Sequence, residues 1–215
     1  MGLAAPHLRF YCPDGGTTNM VKNATLSAFK ASIVKDGIDA AVATYLMDRV
    51  PFVFGDDREL YRVWKRKLAN LIEIDPLNIT IIGSGAVGFS LNPYKDFKVF
   101  SETSDIDVAV VSDYHFSVAW RALRATKLPD VRKAKDREAI KDHRSKYIYW
   151  GCIATDKVLG YLPFVRQWTE ATSLMSAEKP TEERDIKIRL YRDYESLRSY
   201  HMNGLETLLS TLMEK

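Results

Sequence analysis

The sequence predicts an α/β or α+β chain in which a small mixed sheet is flanked by helices. Three short runs, NITIIG at 78–83, DIDVAVVS at 105–112 and DIKIRLYR at 185–192, have the length and β-branched content of strands. Around them apolar residues recur at three- and four-residue spacing, as on the buried face of a helix. Turn-forming Gly, Pro and Asp residues divide the stretches.

Taken in order, residues 1–15 are rich in Pro and Gly and read as a loose tail or one draped over the body. From Met20 to Met47 the apolar positions are Leu26, Phe29 and Ile33, then Ile38, Ala41 and Tyr45. Lys35-Asp36-Gly37 splits that stretch into two helices. A turn at Gly55–Asp57 follows, with Asp56 or Asp57 as N-cap of a helix carrying Leu60, Trp64, Leu68 and Ile72 on one side; Pro76 closes it. After the first strand an irregular segment, Leu91 to Thr103, leads to the second. YHFSVAWRALRATK reads as a helix, and VRKAKDREAIKDHRSKYIYWGCIA as another, charged at its start and aromatic at its end. Pro163 interrupts LGYLPFVRQWTEATSLM, the loop SAEKPTEER precedes the third strand, and a helix ends the chain. The expected organisation is an N-terminal tail and helices (1–75) packed on a core (76–215) as one body.

Bulk properties narrow the class. The 215 residues are 46% hydrophobic and 27% charged, ordinary for a soluble protein. No apolar run approaches the roughly 18 residues of a membrane span, so no membrane insertion is expected. The start of the chain lacks the pattern of a secretory signal, and Pro6 stands where myristoylation wants Ser or Thr. Cys12 and Cys152 are too few for a disulfide framework or a cysteine zinc site, which points to a reducing, cytoplasmic setting. The four histidines lack metal-ligand spacing. A net charge of +3 permits phosphate contacts without demanding a nucleic-acid partner. The basic run from Arg132 to Lys146 is interspersed with Asp136, Glu138 and Asp142, as on an exposed salt-bridged helix. Tyr147, Tyr149 and Trp150 read as core.

The chemistry concentrates in ITIIGSGAVGFSLNP (79–93) and SETSDIDVAVVSD (101–113). Gly83, Gly85 and Gly88 make a G-x-G-x-x-G after a strand, the mark of a dinucleotide turn. That motif needs a long helix after its glycines, yet only Phe89 to Asn92 separate Gly88 from Pro93. Asp105 also begins a strand, where a ribose-binding acid should end one. The second motif explains more. Asp is depleted in strands, so two in alternation within a Val/Ile run need a reason. The period of two sends Asp105 and Asp107 to one face, with Ile106, Val108 and Val110 on the other. Two such carboxylates suit Mg²⁺, a hard ion that prefers oxygen. Two ions so held could clamp an attacking hydroxyl and a triphosphate. Gly83 and Ser84 offer close backbone approach, N–H groups and a hydroxyl to phosphate oxygens.

A Gly-Ser ending one strand, a spacer, and Asp-x-Asp on the next strand resemble the DNA polymerase β-like nucleotidyltransferase superfamily. The likeness covers Ile79 to Val111 well and the rest only in its order of elements. The pattern GSGAVGFSLNP, a loop and SDIDVAVVS is also similar to bacterial nucleotidyltransferases associated with phage defence. The resemblance implies a nucleotidyltransferase core and transfer of a nucleoside monophosphate from an NTP or dNTP to a hydroxyl, releasing pyrophosphate. Two Mg²⁺ ions, replaceable by Mn²⁺, would be held by Asp105 and Asp107. Gly83, Ser84 and Ser104 would contact the nucleotide. The family's third carboxylate lies on a later strand beside the pair; Asp185 is the candidate, against the alternative of an ordinary residue at a strand start. The spacer, residues 85–104, is 20 residues long, more than is usual in the superfamily. Its Lys95 and Lys98 are either phosphate contacts or solvated loop lysines. The acceptor could be a nucleotide, a nucleic-acid end or a protein side chain, including that of a partner encoded in the same operon. Two alternatives stand beside this: an antitoxin-like nucleotidyltransferase that modifies a partner protein, and an inactive nucleotide-binding regulatory subunit.

Overall fold

The computed structural model describes residues 15–213. The predicted tail, but for its last residue, and Cys12 lie outside them. Helix α1 (Gly15–Val42) leaves helical geometry at Gly37 (φ 88°, ψ 169°), which gives two helical halves at the predicted break. Helix α2 (Arg58–Ile72) is capped by Asp57, whose carboxylate accepts the Leu60 N–H at 2.8 Å, and it buries Tyr61, Trp64, Leu68 and Ile72. It ends before the predicted stop: Glu73 turns left-handed (φ 56°), and Pro76 instead opens a short 3₁₀ turn. The chain continues through β1 (Ile79–Ile82), α3 (Ser84–Val87), β2 (Ile106–Val111), α4 (Asp113–Ala125) and α5 (Ala134–Asp142). Then come β3 (Cys152–Ala154), α6 (Thr155–Val158), α7 (Val165–Met175), β4 (Ile186–Tyr191) and α8 (Tyr194–Met213).

The four strands form one mixed sheet in the order β1-β2-β4-β3. The central pair β2–β4 is parallel, and both outer pairs are antiparallel. Strand β3 corrects the sequence reading, which ran a helix through it. Its three residues are too short to show a period. It is held from outside by the Thr155 hydroxyl donating to the Ile188 carbonyl (2.7 Å) and by the His143 ring accepting the Ala154 N–H (3.0 Å).

Alternation divides the sheet into two faces. Ile79, Ile81, Ile106, Val108, Val110, Ile186, Ile188 and Leu190 face the main core with α2, α4 and α7. Ile82, Ala109, Val111, Cys152 and Tyr191 face the opposite way and pack against Leu197 of α8. Asp105, Asp107, Lys187 and Arg189 share that second face by the same period. A third cluster joins Phe29 and Leu46 to Phe89, Phe97, Leu205 and Leu208, which ties α1 and α8 to the spacer after β1.

The basic run 132–146 is structural, largely as its charge pattern predicted. Arg137 donates to the Val131 and Arg132 carbonyls, Arg144 to the last carbonyls of α4, and Lys146 pairs with Asp142 at 2.8 Å. Tyr147 and Trp150 pack on the α8 side of the sheet as expected, but Tyr149 is 78% exposed. Among the described residues no helix is long and apolar enough to cross a membrane.

Candidate functional site

Because β1 and β2 run antiparallel, the end of one lies beside the start of the other. Ile82 is opposite Asp107, so the residue after β1 faces the Asp-x-Asp pair. That residue is Gly83, at φ 64° and ψ −146°. A Cβ there would stand 3.0 Å from the Asp107 Oδ2, closer than nearly all side chains make such a contact, at a backbone angle that already disfavours a Cβ. Glycine therefore lets the turn and the carboxylate touch. The turn that follows, Ser84–Val87, is a single helical turn closed by Gly88 at φ 86°, where a Cβ would meet the Phe52 ring at 2.8 Å. No long helix follows the glycines, in keeping with the rejection of a dinucleotide turn. The first N–H groups of such a turn have no partner within it.

Gly83, Ser84, Ser104, Asp105 and Asp107 line one cleft of about 490 Å³. Asp185 does not line it. It is exposed at the step into β4, where its carbonyl accepts the Ile106 N–H at 2.9 Å. The third acid on the cleft wall is Asp156, from α6, which is exposed there. The strand beside the pair, β4, instead presents cations: Lys187 is level with Asp107, and Arg189 is two residues on. Lys187 forms an ion pair with Asp105. Lys95 and Lys98 also line the cleft from the spacer. The spacer itself is pinned by a bridge between Phe89 and Val99 and by Phe97, which is buried against Phe89 with ring centroids 6.0 Å apart. Tyr200, His201 and Gly204 of α8 close the far side.

Electrostatics follow from these neighbours. Burial pushes the Asp107 carboxyl above its usual range; Arg189 and Lys187 counter this in part, while Asp105 and Asp156 add to it. Burial works against the Lys187 charge, yet its bond to Asp105 and the nearby Asp107 and Asp156 raise its pKa overall. Burial and the neighbouring Arg189 bring His201 down to about 4, which leaves it neutral at pH 7. The Tyr200 hydroxyl is pushed up to about 12, chiefly by burial.

The donor set fits a divalent cation. Among the described residues nothing donates a hydrogen bond to the Asp107 carboxylate, which leaves a half-buried negative group beside a second one. Also among them, no three His, Cys, Asp or Glu side chains gather as a closed cage. An ion on Asp105 and Asp107 would complete its shell with water and phosphate oxygens, as Mg²⁺ usually does.

Sequence reasoning placed Gly83, Ser84, Ser104 and the aspartate pair together. It missed Asp156, Tyr200 and His201. Asp156 follows an unrecognised strand, and the two aromatics sit in a helix whose cleft-facing turn no motif marks. No family model, curated protein or solved structure matches the chain.

Proposed function

We propose that the cleft binds a nucleoside triphosphate with Mg²⁺ and transfers its nucleoside monophosphate to a hydroxyl acceptor. The observation that carries this reading is the contact distance between the Gly83 position and Asp107, which joins a phosphate-binding turn to a carboxylate pair. The acceptor oxygen bonds to the α-phosphorus, the bond to the pyrophosphate oxygen breaks, and the hydroxyl proton leaves to solvent. Ser84 and the N–H groups of its turn hold the terminal phosphates, with Lys95 and Lys98 on the mouth side. Asp105 and Asp107 would hold Mg²⁺, or Mn²⁺ in its place, whose charge would offset that developing on the α-phosphate and the leaving group. Asp156 is the acid placed to take the role first expected of Asp185. An NTP-consuming reaction fits a cytoplasmic protein.

One observation favours a second reading, a nucleotide-binding regulatory subunit without turnover. The strand beside the pair carries Lys187 and Arg189 where the resemblance implies a carboxylate. Incubation with each labelled NTP and dNTP plus Mg²⁺ or Mn²⁺, with products resolved by size, separates the two. Pyrophosphate release that is lost in Asp105→Ala and Asp107→Ala supports transfer. Tight Mg²⁺–NTP binding with no product supports the regulatory reading. Identical products from wild type and both variants would remove the cleft from consideration.

A further inference from the structure

A second groove runs along the outer edge of β1, at the end of that strand away from Gly83. Three cations of α2 face it: Arg58, Arg62 and Lys65. Their spacing of four and then three residues makes one stripe down the helix, about 10 Å long at 1.5 Å per residue. Arg49 adds a fourth cation from the segment before α2. The compensating charge is small. Asp48 lines the groove, and Glu59 pairs with Arg62 at 2.7 Å on the exposed rim. Among the described residues, Arg49, Arg58 and Lys65 form no ion pair. Lys65 is half-buried with its ammonium 4.8 Å from the centre of the Tyr61 ring, and burial together with Arg58 lowers its pKa.

The opposite wall carries an aromatic ring held in place. Tyr194 opens α8 and is 45% exposed, yet its hydroxyl donates to the Leu77 carbonyl at 2.8 Å and lies 3.0 Å from the Asn78 Oδ1. Anchoring the hydroxyl end holds the ring's long axis across the groove. A line of cations with little compensating charge, facing an open aromatic ring held at its hydroxyl end, is what binds single-stranded nucleic acid: charges track the backbone while a base stacks on the ring.

We propose that this groove binds a single-stranded nucleic acid, with its phosphates along Arg58, Arg62 and Lys65 and a base on Tyr194. The assignment does not depend on the reading of the cleft. The groove touches the first half of β1 and the cleft its end, so either can be disabled alone.

The test is fluorescence anisotropy of the whole chain with a labelled mixed-sequence oligonucleotide of roughly 12 nucleotides, over a salt series. Wild type should bind, with log K falling linearly with log salt. Arg58→Gln/Arg62→Gln/Lys65→Gln should weaken binding at least tenfold at low salt and reduce the salt slope by about 2. Lys127→Gln/Lys133→Gln/Lys135→Gln, which removes the same charge from exposed positions elsewhere, should stay within twofold. Tyr194→Leu should weaken the oligonucleotide roughly tenfold and leave inorganic polyphosphate binding unchanged. Circular dichroism confirms that each variant is folded. No wild-type binding, equal losses from both triple variants, or an unaffected Tyr194→Leu would each overturn the assignment. So would capture of anionic phospholipid vesicles in preference to the oligonucleotide. Asp107→Asn in the cleft should leave the affinity unchanged, which keeps this result separate from any failure of nucleotidyl transfer.

Discussion

Gly83→Ala tests the central contact of the cleft most directly. At φ 64° and ψ −146° the backbone is in a region nearly closed to residues with a Cβ, at a cost of about 1–3 kcal/mol. The new methyl would also meet Asp107 Oδ2 at 3.0 Å and its Cβ at 3.6 Å. The backbones cannot retreat, because Asp107 belongs to a strand paired on both sides and Ile82 is held in register against it, so relief falls to rotation of the carboxylate away from the turn. Adding about 1 kcal/mol for the overpacked contact gives a loss of about 2–4 kcal/mol. A domain of ordinary stability survives that loss. The expected result is a folded protein with Tm lowered by roughly 4–16 °C and NTP affinity down at least tenfold. Differential scanning calorimetry and titration of a fluorescent NTP analogue measure the two effects. Gly204→Ala is the control: it lies within α8, and a Cβ there meets no atom within 4 Å, so it should stabilise by about 0.5–1 kcal/mol. If Gly83→Ala unfolds within about 0.5 kcal/mol of wild type, the contact does not constrain the turn and the argument from it fails.

Further predictions concern charge and burial. Asp107→Asn removes a carboxylate that burial disfavours, so it should raise Tm slightly while abolishing any nucleotidyl transfer; a lower Tm would show the charge to be satisfied in the fold. Thr181→Val strips the acceptor of the buried Trp64 Nε1–H (2.9 Å) and the donor to the Met175 carbonyl (2.9 Å), and urea denaturation should show a loss of about 1–3 kcal/mol. His201 has its folded pKa brought down to about 4 from an ordinary 6.5, so the unfolded chain binds the extra proton between those values. Stability should therefore be full above pH 6.5 and fall as pH drops to about 4, by at most about 3 kcal/mol from this residue. Burial lowers His115 and His143 as well, so His201→Gln should shrink the acid-induced loss in a pH series of melts without removing it. An unchanged loss in that variant would clear His201 of the effect.

The sequence disclosed those parts of the fold whose period is long enough to see. Strands β1, β2 and β4 alternate against one core, and the α2 cap and its buried stripe follow from Asp57 and the spacing of Trp64, Leu68 and Ile72. Strand β3 was hidden because three residues carry no period and its hydrogen bonds come from groups distant in sequence. The end of α2 was misplaced because Glu73, not a glycine, takes the left-handed position. In the site, residues within one strand or turn were legible, since alternation fixes their side. Asp185 shares the expected strand face yet lies outside the cleft, because the wall at that level is shaped by the spacer and α8, which only tertiary packing positions.

The antiparallel pairing of β1 and β2 also separates the placing of the site from the length of the spacer. The turn at Gly83 and the aspartates meet through the sheet, so the exposed part of the spacer, outside its packed Phe89 and Phe97, can vary in length without moving either. Doubling such a connection costs only about 0.6 kcal/mol in closure entropy. Descendants of this chain could lengthen, shorten or replace the rim of the cleft while the carboxylates stay in place. The rim of the cleft can therefore change on a scaffold that hardly does.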